Sequence, residues 1–183
     1  MVRAPALPTS DFCQALLESY AVNDRMNQLV LEHLDPHAWR AKPHGRNART
    51  IAAVFAHMHN IRRKWLRLSA PHIELPAELN RARCTQGEVR RALAVSALRC
   101  SQMLAEALSQ PRGRVKHFRR DGWARAWSPG AAMFAYMIVH DAHHRGQVCM
   151  LAHQLGFPLP NTTAYGMWVW EKLWRDCGFS RPR

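Results

Sequence analysis

Acidic residues are the first shortage. The 183-residue chain holds 13 Asp and Glu against 26 Lys and Arg, a formal net charge of +13. Such an imbalance favours polyanionic partners, whether nucleic acid, an anionic surface or an acidic ligand, and says nothing about fold. Paired cysteines are missing as well. Cys13, Cys84, Cys100, Cys149 and Cys177 are odd in number, and no two stand as Cys-x-x-Cys. That argues against a disulfide framework or a thiolate zinc site and for a reducing compartment, so a cytoplasmic location is expected. No run of about 18 apolar residues occurs, so no membrane-spanning helix is expected. The first ten residues, interrupted by Pro5 and Pro8, lack the apolar centre of a secretory signal. No stretch reads as a strand, and no internal repeat is visible.

What is present is helical periodicity, with 48% apolar residues to build a core. Residues 1–9 read as an irregular tail, 10–176 as a single domain and 177–183 as a basic tail. A first helix is expected from near Asp11 to His33, opened by Asp11 with Gln14 as a capping box and ended by Asp35-Pro36. Thr50 is a good N-cap for a second helix reaching about Ser69. Thr85-Gln86-Gly87-Glu88 is a capping box for a third, which stops at Pro111. Ser128-Pro129 starts a fourth, and Gly156 with Pro158 ends it. The segment from Tyr165 to Trp174 reads as a short fifth helix whose aromatic side chains pack on the others. The expectation is an all-α bundle of four main helices with long connections.

Histidines carry the chemical signal. Met133, Met137, His140, His144, Val148, Leu151 and Leu155 fall on one helical stripe. Two imidazoles therefore stand one turn apart where a core would place leucine, close enough to share an ion at about 2.0–2.1 Å. The plainer alternative is a pair of core histidines satisfied by hydrogen bonds. A third ligand is sought on another apolar face. On the second helix His57 has Val54, Ile61 and Leu68 as helical neighbours, with Ala53 beside them, whereas His59 has Arg62, Arg63 and Leu66 as well as Phe55. The two point about 200° apart, so only one can join, and His57 is the choice. Three neutral imidazoles with open positions describe a catalytic rather than a structural metal site. Zinc, nickel, iron and copper all accept imidazole, so the metal is not distinguished. His140-Asp141-x-x-His144 also approximates the His-Glu-x-x-His motif of zinc proteases, but the shorter Asp reaches a metal-bound water less well.

His140 and His144 followed by Arg145-Gly146-Gln147, with His57 on an upstream helix, resemble the DinB-like (YfiT-like) superfamily of metal-dependent four-helix bundles. The resemblance covers about residues 10–175. It implies a metal at one end of the bundle, held by three histidines and water. It also implies an activity such as thiol S-transfer, isomerisation or hydrolysis, with a low-molecular-weight thiol as a candidate cofactor. The chain departs from a plain member in its arginine clusters at 62–67, 81–91 and 112–125.

The leading expectation is an enzyme acting on a small molecule. A metal-binding bundle without turnover and a basic nucleic-acid-binding module are the alternatives, and a homodimer is allowed. Asp141 and His143 are candidates for acid/base or supporting roles, although Asp141 also reads as a solvated residue. Arg145 and Gln147 read as packing or helix contacts, and Gly146 as room for a close helix or a ligand. If Arg112, Arg114, Lys116, Arg119 and Arg120 bind a polyanion, affinity should fall steeply with salt.

Overall fold

The computed structural model describes residues 9–45, 47–109 and 130–180. Four long helices make the bundle: α1 (Thr9–His33), α2 (Ile51–Ser69), α3 (Gln86–Ser109) and α4 (Gly130–Gln154). Two short ones, α5 (Asn161–Gly166) and α6 (Trp170–Asp176), follow. The described residues contain no strand. None of their helices is long and apolar enough to cross a membrane. The basic loop with Arg112, Arg114, Lys116, Arg119 and Arg120, the pair Trp123 and Trp127, and the start signal Ser128-Pro129 lie outside the described residues.

Local chemistry sets most helix ends. The Thr50 hydroxyl accepts the Ala53 amide at 3.2 Å, satisfying a donor that has no partner within the helix. At α3 the box closes in both directions: the Thr85 amide donates to Glu88 Oε2 at 2.7 Å, and the Glu88 amide to Thr85 Oγ1 at 3.2 Å. After α4, Gly156 takes φ +84°, a conformation that costs glycine little. The Phe157 amide then reaches the Ala152 carbonyl at 2.9 Å and the Gly156 amide that of His153 at 3.0 Å, a Schellman closure.

Three expectations change. α1 begins at Thr9, ahead of the expected start, and Gln14 lies a turn inside it, donating to Glu18 at 2.8 Å. The C-terminal segment is two helices, because the backbone turns after Gly166. Its aromatic residues do not all pack inward: Tyr165 is 73% and Trp168 79% exposed. Leu173 is the residue of α6 that is fully buried, against Val22 and Met26 of α1.

Helices α1 and α2 occupy opposite corners, each packed on both α3 and α4. The α1–α2 connection therefore crosses the end of the bundle. Trp39 anchors it there, buried against Phe55 and donating its indole N–H to the Cys84 carbonyl at 3.0 Å. Besides the small cluster around Leu173, the core holds two larger apolar clusters. One holds Val30, Leu31, Ile51, Phe55, Leu93 and Val148; the other holds Tyr20, Trp65, Leu66, Met103, Met133 and Met137. Between them all four helices turn polar side chains inward at one level. Asn23, Asp24 and Asn27 come from α1, His59 and Arg62 from α2, Ser96 from α3, and Asp141 with His144 from α4.

Candidate metal centre

The polar layer opens on one side between α2 and α4, and three imidazoles line that opening. His140 and His144 follow each other by one turn of α4, as their spacing requires, and His57 faces them from α2. Ring centroids lie 5.5 Å apart for His57 and His140, 4.7 Å for His57 and His144, and 4.5 Å for His140 and His144. One ring nitrogen from each lies within 4.8 Å of the other two, within reach of shared ligation at about 2.0–2.1 Å.

The donor chemistry fits a divalent ion. His57 Nδ1 is buried without a hydrogen-bond partner, and a buried polar atom left unpaired is costly unless something binds it. His144 Nδ1 is bound to Gln147 Oε1 at 2.7 Å. A carboxamide oxygen only accepts, so Nδ1 carries the proton and Nε2 keeps its lone pair for an ion. Burial, reinforced by the two neighbouring histidines, lowers the His57 pKa to about 4. Burial also lowers that of His144. Both rings are neutral at pH 7, the form that coordinates.

Supporting groups hold α4 in place. Arg62 spans the centre of the bundle, fully buried, donating to Asp24 Oδ1 at 2.7 Å, Asp141 Oδ2 at 2.6 Å and the Leu93 carbonyl at 3.0 Å. Asn23 Nδ2 adds a bond to Asp141 Oδ2 at 2.9 Å. Burial alone would raise the Asp141 pKa, but the Arg62 guanidinium outweighs it and holds the carboxyl down at about 2. The other oxygen, Oδ1, stands 3.7 Å from His140 Nδ1, so an ionised carboxylate backs that imidazole. Arg145 reaches Asn23 Oδ1 at 3.0 Å and Asn27 Oδ1 at 2.8 Å, tying α4 to α1.

Two clefts flank the histidines. One, of about 630 Å³, is bordered by Val54, His144, Met150 and Leu151. The other, of about 390 Å³, is bordered by His57 and Ile61. Arg49 lines both.

Several sequence-based expectations are corrected here. Asp141 is not solvated; it is fully buried and committed to Arg62. It therefore cannot serve as a protease-like base on a bound water. Arg62 does not belong to a solvent-facing arginine cluster. His143, expected in an acid/base or supporting role rather than as a ligand, is exposed on the rim of the larger cleft and accepts from Gln147 Nε2 at 3.0 Å. The helix-face argument placed His57 deeper than His59, and the structure has it the other way round. His59 is the fully buried ring, held between Ser96 Oγ at 3.1 Å and the Ala77 carbonyl at 2.8 Å, while His57 stands at the cleft. A Cβ on Gly146 would meet nothing within 4 Å, so close helix approach is not its reason. The resemblance implied a metal at one end of the bundle, whereas the histidines stand at the level of the central polar layer.

Arg62, Asn23, Asp24 and Asn27 are the functional-layer residues that sequence reasoning missed. A signal for two of them exists: Asn23 and Asn27 are one turn apart on a face that continues through Tyr20 and Val30.

Gln147 supplies a direct check. It is exposed, so Gln147→Leu should fold normally, yet it leaves the His144 tautomer unfixed. Metal affinity by isothermal titration should drop roughly 10–100-fold; unchanged affinity would remove Gln147 from the site.

The DinB family model matches residues 9–174. No curated protein and no solved structure matches the chain.

Proposed function

The chain belongs to the DinB family, and from that premise we propose that it is a metal-dependent enzyme acting on a small molecule, by thiol S-transfer or hydrolysis. His57, His140 and His144 would hold the ion. The observation that carries this reading is the convergence of three ring nitrogens from two helices within 4.8 Å, with His57 Nδ1 buried and without a protein partner.

A bound divalent ion lowers the pKa of a coordinated water, or deprotonates a coordinated thiol outright. The protein's own groups provide the rest. Gln147 presents the lone pair of His144, and Asp141, charged through Arg62, stands behind the His140 ring at 3.7 Å. Three protein ligands would leave coordination positions open, and the larger cleft, bordered by apolar Val54, Met150 and Leu151 and by polar Arg49, His143 and Gln147, would admit a substrate to them. His143 stands on the rim of that cleft, where it is placed to exchange protons with solvent. Imidazole donors suit zinc, nickel, iron and copper alike.

The test is elemental analysis of purified protein, then thermal unfolding across those four metals with and without low-molecular-weight thiols. One equivalent of metal is expected, with stabilisation of about 2.7 kcal/mol at a hundredfold excess over Kd. Metal-loaded protein should then turn over a thiol with an electrophile, or hydrolyse an ester or amide, and lose that activity to a chelator. Stoichiometric metal with no turnover across a broad substrate panel would favour the bundle that binds metal without catalysis.

A further inference from the structure

The smaller cleft is left unused by the metal chemistry. On its wall stand Arg49, Arg63, Lys64, Arg67 and Arg81 against one carboxylate, Glu78. Arg63 is committed: its Nε donates to the Pro76 carbonyl at 2.6 Å and its guanidinium pairs with Glu78 at 3.3 Å. Among the described residues, no hydrogen bond or ion pair engages the side chains of Arg49, Arg67 or Arg81. Three guanidinium groups thus border one concavity without a carboxylate of their own. Holding like charges together in a cleft is unfavourable until an anion enters, and the cleft concentrates their field.

The geometry also gives a direction. His57, Asn60, Lys64 and Arg67 succeed one another along a single stripe of α2; the segment after α2 runs back along it, Pro76 bonded to Arg63 and Leu79 to Asn60, so Arg81, like Arg49, stands at the His57 end. An anion held between Arg49 and Arg81 therefore lies beside His57, with Arg67 at the opposite end of the cleft. A volume of about 390 Å³ lies in the range of small-ligand pockets, ~300–1,000 Å³. A nucleic-acid duplex calls for an extended basic face rather than a concavity. Guanidinium forks match phosphate and carboxylate oxygens in pairs.

We propose that this cleft seats a multiply anionic group, phosphate or polycarboxylate, of the small-molecule substrate, with Arg49 and Arg81 as its ligands and the reacting end of the molecule at the histidines. The last clause rests on the function proposed above; the anion site does not.

The test uses metal-free protein, dialysed against chelator, so that an anion cannot be held by the ion. Pyrophosphate and tricarballylate are titrated calorimetrically at low salt, beside a 12-nucleotide single strand. One equivalent of at least one small anion is expected to bind, and comparing the two tells phosphate from carboxylate. Arg49→Ala and Arg81→Ala, both at exposed positions, should each weaken binding about tenfold and the double variant about a hundredfold. Arg90→Ala, on the exposed face of α3, should leave it unchanged. Failure of both small anions to bind overturns the proposal, as does equal binding by the double variant and wild type. Binding of the oligonucleotide alone, lost in the double variant, would overturn it in favour of a nucleic-acid site. Because metal is absent throughout, pyrophosphate binding with no metal uptake would leave the anion site standing and remove the enzyme reading. The converse result would do the opposite.

Discussion

Arg62→Met should destabilise the protein by about 3–5 kcal/mol at neutral pH, read from the midpoint of urea unfolding. The guanidinium is fully buried and neutralises two buried aspartates, Asp24 at 2.7 Å and Asp141 at 2.6 Å. Its removal leaves Asp141 with amide donors from Asn23 at 2.9 Å and Asn27 at 3.3 Å but no directly bonded cation. The pH dependence gives the mechanism away. In the native protein the Asp141 pKa, about 2, lies below the value of ~3.9 for an unfolded chain. Its contribution is thus present above the unfolded value and lost as pH falls toward 2. Without Arg62 the desolvated carboxyl rises instead, and protonation relieves the variant. The stability gap between wild type and variant should therefore narrow between pH 7 and pH 4. A gap below 1 kcal/mol, or one that does not move with pH, would mean that water reaches this layer. Replacing all three charged residues by apolar ones of similar volume should restore much of the loss, because the charges cost more to bury one at a time than to remove together.

The second large effect concerns the metal. His57→Ala, His140→Ala and His144→Ala should each abolish stoichiometric binding, and with it the thermal stabilisation that metal gives the folded state. His59→Ala should keep the metal while losing stability, since its ring fills a buried position and bonds both Ser96 and the Ala77 carbonyl. The two classes separate cleanly when metal content and unfolding are measured on the same samples. Affinity should also fall on acidification, because protons compete for the same lone pairs. For His57, whose pKa is near 4, that competition begins well below the ordinary imidazole range of ~6.5. If His59→Ala releases the metal and His57→Ala retains it, the cluster described above is not the binding site.

The legible parts of the molecule were those whose cause lies within a few residues. Thr50, the Thr85–Glu88 pair and Gly156 announce helix ends because a cap needs only its own turn. His140 and His144 announce a site because helical geometry alone puts them side by side. What stayed hidden depends on partners far along the chain. Arg62, followed by Arg63 and Lys64, reads as a solvated face until carboxylates 38 residues before it and 79 after it are brought to it. Asp141 was illegible for the same reason. His57 and His59 were compared by their neighbours on α2, but their depth is set by α3 and by the chain around Ala77, which close over His59 and leave His57 at the cleft. The aromatic residues near the C-terminus read as packing material because size alone favours burial; Trp168, at the turn between α5 and α6, is 79% exposed.

The Arg62 contact has a further consequence for alignment along the bundle axis. An α-helix advances about 1.5 Å per residue and 5.4 Å per turn. Sliding α4 by one turn would carry Asp141 beyond reach of Arg62, and apolar side chains on either side tolerate such slips far better than a charge does. A guanidinium cannot shed its proton to escape an unpaired burial, so the slipped arrangement keeps the full penalty at every pH. His140 and His144 flank and follow Asp141 on the same helix, and His57 precedes Arg62 by five residues on the other. The interaction that fixes one pair of charges therefore also gauges the distance between the two halves of the histidine site, and a bundle assembled out of step would lose both together.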